Sequence, residues 1–303
     1  MRLNRYAVLL VGVLSVSAAA ILIRLAEAPV MVIAAYRLTL AAIVLLPITL
    51  SRGFSSFRSV AGRDWLWMSL SGLFLSLHFA LWITSLNYTS IASSVVLVTS
   101  HPAFVAVVSY FLWGERLRRL TLAGIVVALL GVVLINYGGF TFGSTTALGN
   151  LLAILAAFSM GAYLIVGGRL TTKVNILSYL SLVYTFSAII LLVSAVGLGH
   201  SFFGYSPKTY LMLVLLAVIP QLIGHSCLNY AVRLMPVTLV SVAILGEPVG
   251  ATLLGYLVLN EAPTVNEILG GLLVLAGIYL VMRYRPQSPA RDNRTPYDGH
   301  PLK

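Results

Sequence analysis

Two ionisable residues, His101 and Glu247, each stand directly before a proline and near the middle of a long apolar run. A helix rises about 1.5 Å per residue, and about twenty apolar residues cross a bilayer, so both groups fall close to the membrane centre. An ionisable side chain at that depth costs a few kcal/mol or more, and by default marks a functional site. Pro102 and Pro248 each remove a backbone hydrogen bond and free a carbonyl one turn earlier. A titratable group at a helix kink is what a gate needs, or a site where a proton and a substrate exclude each other. The plainer alternative is that both side chains only hydrogen-bond to neighbouring helices.

Further polar residues recur at helical spacing. Gln221, His225 and Asn229 lie at i, i+4 and i+8 on one apolar run, and His78, Trp82 and Ser85 share a face of another. A polar stripe inside a span lines a cavity or ties helices together. The first stripe is longer than one interhelical hydrogen bond requires, so cavity lining is expected, with Tyr163 on another run facing the same space. An isolated tryptophan such as Trp82 also suits packing or the lipid interface. Tyr36 and Arg37 begin a run near its outer end, where Arg37 either holds an anionic group or snorkels to the surface. Ser17 and Ser159 sit among small residues and read as close-packing positions. Glu115 and Glu261 close their helices and read as end anchors rather than transport groups.

These residues must be carried by membrane spans. Hydrophobic residues make up 59% of the chain and charged residues 9%, against roughly 25% charged in soluble domains. Ten runs are long enough to cross a bilayer: approximately 6–25, 30–50, 66–86, 91–113, 120–137, 148–168, 176–197, 210–231, 237–259 and 267–281. The first run has a rival reading as a signal peptide with a cleavage site at Ala18-Ala19-Ala20, but it stays apolar to Ile23, which is long for such a core. With the N-terminus in the cytoplasm and the runs alternating, sixteen Lys and Arg residues fall on the cytoplasmic side and two, Arg24 and Lys208, outside. That bias is the expected signature of topology. The single cysteine, Cys227, permits no disulfide framework. The net charge of +11 is dispersed between the spans and forms no basic face, which argues against nucleic acid as a partner.

The chain also repeats itself. At an offset of 146 residues Pro102 meets Pro248, Tyr110 meets Tyr256, Glu115 meets Glu261, Gly124 meets Gly270, Gly131 meets Gly277 and Leu134 meets Leu280. Such periodicity has to be settled before the fold. Each half holds five spans, an odd number, so the second copy enters the membrane upside down. Inverted repeats of this kind occur in secondary transporters, with the substrate near the midplane where the halves meet. The expected fold is an all-α polytopic membrane protein, with ten transmembrane helices as two inverted five-helix repeats around a central cavity. The repeats cover 1–140 and 141–283. The remaining 284–303, rich in proline and polar residues, reads as a disordered cytoplasmic tail.

Several motifs are shared with a known family. Tyr88-Thr-Ser-Ile-Ala-Ser-Ser94, Pro102, Gly114-Glu115-Arg116-Leu117, Glu247-Pro248, Asn260-Glu261 and Ala35-Tyr36-Arg37 together resemble the EamA-like branch of the drug/metabolite transporter superfamily. The outer helix end departs from the family pattern, reading Leu-Asn260-Glu261 instead of Leu-Gly-Glu. The resemblance implies a ten-helix basket in the plasma membrane with both termini cytoplasmic. It implies a cavity lined mainly by spans one, three, four, six, eight and nine, and transport of small metabolites such as amino acids or drug-like solutes, with export the expected direction. A small-molecule substrate, a coupling proton and the lipid bilayer are the expected partners, as a monomer or homodimer, with neither cofactor nor metal. A channel or scramblase-like protein is the alternative. An enzyme is not expected: zinc-helix, nucleophile-elbow and P-loop motifs are absent, and Asp64, Asp292 and Asp298 all lie outside the spans.

Overall fold

A computed structural model describes residues 4–51, 60, 62–113, 117–137, 144–260 and 262–284. Every regular element among them is helical. The spans are α1 (Arg5–Leu25), α2 (Val30–Ser51), α3 (Gly62–Ser85), α4 (in two pieces, Ile91–Val98 and His101–Trp113), α5 (Arg119–Ile135) and α6 (Ser144–Leu170). They continue with α7 (Ile176–Gly197), α8 (Pro207–Leu216, a π-helical stretch Ala217–His225, then Ser226–Leu234), α9 (Val237–Ile244 and Glu247–Leu259) and α10 (Val265–Arg283). Among the described residues nine helices are long and apolar enough to cross a membrane. The remaining span, α5, has 17 residues, about 25 Å at the usual helical rise. Glu115, Glu261 and the tail 285–303 lie outside the described residues.

Local sequence fixes the helix ends. The side chains of Asn4, Ser90, Asn175 and Ser206 accept the first free backbone N–H groups of their helices, and Thr264 with Glu267 forms a reciprocal capping box on α10. α9 ends on Asn260 in the left-handed conformation, φ 56°. Asparagine tolerates that conformation nearly as well as the glycine it replaces in the family pattern, so the departure leaves the helix end intact.

The two prolines do more than kink their helices. A proline cannot donate to the carbonyl four residues back and clashes with it. The carbonyls concerned belong to Val98 and Ile244, and the first pieces of α4 and α9 end at those residues. α4 and α9 are therefore interrupted, and His101 and Glu247 are the first residues of the resumed helices. In α4 the break is partly repaired by side chains. Thr99 Oγ1 donates to the Val95 carbonyl at 2.6 Å, Ser100 Oγ to the Leu97 carbonyl at 2.7 Å, and His101 Nδ1 lies 3.3 Å from the Val98 carbonyl.

Most of the packing between spans keeps its pattern when each of the first five is exchanged with the span five places later. α2 packs on α7, α4 on α9 and α5 on α10, each pair mapping to itself. α3 on α6 maps to α8 on α1, α4 on α6 to α9 on α1, and α3 on α7 to α8 on α2. The α5–α10 contact shows the exchange at atomic scale. A Cβ on Gly124 would lie 2.8 Å from the Gly277 carbonyl oxygen, and one on Gly131 would lie 2.6 Å from that of Gly270. Gly124 and Gly270, like Gly131 and Gly277, stand 146 residues apart, so the two contacts correspond to each other under that offset. Without a hydrophobic drive between helices in lipid, such close backbone approach is what holds the pair. Gly131→Val should cost about 1–3 kcal/mol, because its Cβ meets backbone rather than a movable side chain. Gly62→Ala meets nothing within 4 Å and serves as the neutral control. Thermal unfolding in detergent should separate the two, and equal melting temperatures would contradict the packing account.

Candidate functional site

At the level of the two helix breaks lies a cavity with about 120 Å³ of room for the centres of water-sized molecules. Its wall is mostly apolar, with Val16, Ala19, Phe79, Met160, Leu228 and Ile244 among the lining residues. Set into it are Arg37, His78, Trp82, His101, His225, Glu247 and Pro248. α1, α2, α3, α4, α6, α8 and α9 thus all contribute, α2 through Arg37 alone. A largely apolar cavity with a few convergent polar groups is the usual form of a small-molecule site.

Arg37 sits two turns into α2 instead of at its outer end, because the helix already begins at Val30. It is 3% exposed, so it does not snorkel. Its Nε donates to Gln221 Oε1 at 2.8 Å, and its guanidinium lies 4.4 Å from the centre of the Phe79 ring. Across the cavity it attracts Glu247, which is partly exposed to that space. His78 Nδ1 lies 3.1 Å from the Ala156 carbonyl, and the ring stacks on Trp82 with centroids 6.1 Å apart. Trp82 Nε1, His101 Nε2 and His225 Nδ1 are buried without a protein partner. Buried polar atoms are normally satisfied, and all three of these side chains belong to residues that line the one cavity.

The remaining sequence candidates lie beside the cavity. Gln221 is buried against Arg37, and Asn229 hydrogen-bonds to Tyr163 Oη and to the His225 carbonyl. Both point into the bundle interior, at helix partners rather than at the cavity itself. Tyr163 is fully buried beside Asn229. Tyr36 donates to the Phe202 carbonyl at 2.7 Å and packs on Phe202 and Tyr210, away from the site. Pro102 shapes α4 without lining the cavity, and Ser17 and Ser159 bond to carbonyls of their own helices. Phe79 was not singled out by residue type. It stands 146 residues before His225, and the two rings meet at 5.7 Å. The 146-residue offset was the signal in the sequence that could have found this residue.

One end of the site is closed. There Asn229 and Tyr163 meet, Tyr179 Oη pairs with Ser71 Oγ at 2.7 Å, and Gly168 of α6 lies against Val237 of α9. α6 packs on both α8 and α9 here. Among the described residues the corresponding contact of α1 with α3 and α4 is marginal at most. The cavity instead runs that way, towards exposed Ala20 and half-buried Trp82 and Val95.

The profile of the EamA-like transporter family matches residues 5–137 and 147–283, nearly the whole chain. The chain belongs to the EamA-like transporter family. It is a multi-pass membrane protein of the drug/metabolite transporter superfamily. Among EamA-like relatives, one from Archaeoglobus fulgidus described as an uncharacterized transporter is 27% identical over 73% of this chain and 77% of its own length. One from Escherichia coli described as a probable amino-acid metabolite efflux pump is 26% identical over 67% of this chain and 71% of its own. A crystal structure with 22% sequence identity superposes with a TM-score of 0.82, covering 94% of this chain and 99% of that one, and so shares its fold.

Proposed function

We propose that this EamA-like chain is a secondary transporter that exports a small zwitterionic solute of the amino-acid type by alternating access. The observation that carries the reading is the presence of Arg37 and Glu247, opposite in charge, in one largely apolar cavity. A zwitterion can offer its carboxylate to the first and its ammonium group to the second, while its body meets the apolar wall. The description of the Escherichia coli relative as an efflux pump supports both the solute class and the direction. The proposed site consists of Arg37, His78, Trp82, His101, His225 and Glu247, with Gln221, Asn229 and Tyr163 packed behind it.

The halves 1–140 and 141–283 are read as inverted repeats. The packing pairs that map onto one another, and the paired glycines of α5 and α10, support this. Two halves that can exchange conformations give access from either side with one sequence. A closed end near Gly168 and Val237 is what a carrier requires, and what a continuous pore lacks. With both termini cytoplasmic in the plasma membrane, that end faces the cytoplasm, since Arg169 and Arg233 follow it directly.

Glu247 is also the natural site for a coupling proton. Bound solute and proton would then compete for one carboxyl group. In proteoliposomes, Glu247→Gln should remove a step from the pH profile of transport while leaving the protein folded. An unchanged profile with full activity would reduce Glu247 to a structural hydrogen bond.

A further inference from the structure

α8 departs from the α-helix over Ala217–His225, where it becomes π-helical around Pro220. π-helical stretches are rare and concentrate at functional sites. The equivalent stretch in the first half, 71–79, is ordinary helix within α3. The distortion therefore breaks the repeat, and its effect can be read at Gln221. This side chain is fully buried and holds Arg37 Nε at 2.8 Å. Its own backbone carbonyl accepts from Tyr184 Oη at 3.4 Å, which ties the wide turn to α7. Gln221 Nε2 has no protein partner.

Resting on the proposed solute site, we infer that Gln221 is the positioning residue that makes Arg37 a carboxylate receptor. A guanidinium offers two edges, and the one that matches a carboxylate or phosphate fork is best used when the group is held still. Gln221 occupies the Nε position, and the Phe79 ring supports one face of the plane at 4.4 Å. Arg37 lines the cavity, so the Nη edge is the one the proposed solute would meet. The neutrality of Gln221 matters as much as its reach. A carboxylate at this place would pair with Arg37 and cancel the charge that recognises the solute. Position 221 thus sets which charge the site accepts, without touching the solute itself.

The test uses purified full-length protein, with L-leucine, L-methionine and L-phenylalanine each compared with its own amide. Ligand-induced thermal stabilisation reports affinity, and proteoliposome transport separates KM from kcat. The wild type is expected to prefer the acids. Gln221→Glu should erase that preference. Gln221→Met, an uncharged variant of similar length, should raise the KM for the acids roughly tenfold with little change in kcat, the scale of one hydrogen bond to a charged group. It also keeps the test decisive if Gln221→Glu fails to fold. An acid preference retained in Gln221→Glu, or a wild-type KM in Gln221→Met, would overturn the inference. A wild type that binds acids and amides alike would instead overturn the reading of Arg37 as the anion pole, and the inference with it.

Discussion

Oxidation of a Gly168→Cys/Val237→Cys protein, made in a Cys227→Ala background, should stop transport almost completely, and reductant should restore it. A Cβ built on Gly168 lies 3.9 Å from the Val237 Cβ, within the spacing of about 3.5–4.5 Å that a disulfide needs. The pair joins the end of α6 to the start of α9, across the closed end of the cavity. Alternating access requires these helices to part, so a covalent bridge holds the carrier in one state. Bridged protein should still bind solute from the open side, because Arg37 and Glu247 are untouched. Undiminished transport after quantitative cross-linking would mean that this end never opens, and the alternating-access account would fail.

Arg37→Met should lower kcat/KM about a hundredfold or more. The substitution removes the positive pole of the cavity and leaves Gln221 Oε1 without its donor. Losing a hydrogen bond to a charged group accounts for about 1.5–3 kcal/mol. Loss of the attraction between Arg37 and Glu247, which line the same cavity, adds to this. The loss should be far smaller for an amide solute than for the corresponding acid, which distinguishes recognition from folding. Equal losses for both would assign Arg37 a structural role.

Much of this architecture was legible in the sequence because the bilayer imposes strict rules. Apolar runs had to be helices, since lipid leaves no partner for an open backbone. The 146-residue offset found the glycines that meet between α5 and α10. Pro102 and Pro248 were readable as disturbances, but their strength was not. Both helices stop and restart at these positions, with Thr99, Ser100 and His101 partly repairing the break in α4. The polar stripe on α8 was harder still. Residues four apart share a face in α- and π-helical turns alike, so the stripe was visible, but nothing in its spacing announced the π-helical stretch Ala217–His225. Arg37 and Gln221 meet across 184 residues, and Asn229 and Tyr163 across 66. No local pattern encodes such pairings. For Arg37 the sequence left two roles open, holding an anionic group or snorkelling, because sequence depth alone cannot show what packs around a side chain; its burial excludes the second.

The most direct test of the carrier account is counterflow. Proteoliposomes holding the wild-type protein are loaded with unlabelled L-leucine, L-methionine or L-phenylalanine, and labelled solute is supplied outside at low concentration. A carrier whose one site faces each side in turn should accumulate label transiently above its equilibrium level, and Arg37→Met should abolish the overshoot. A channel would let the label reach equilibrium without exceeding it, and that result with the wild-type protein would contradict the account.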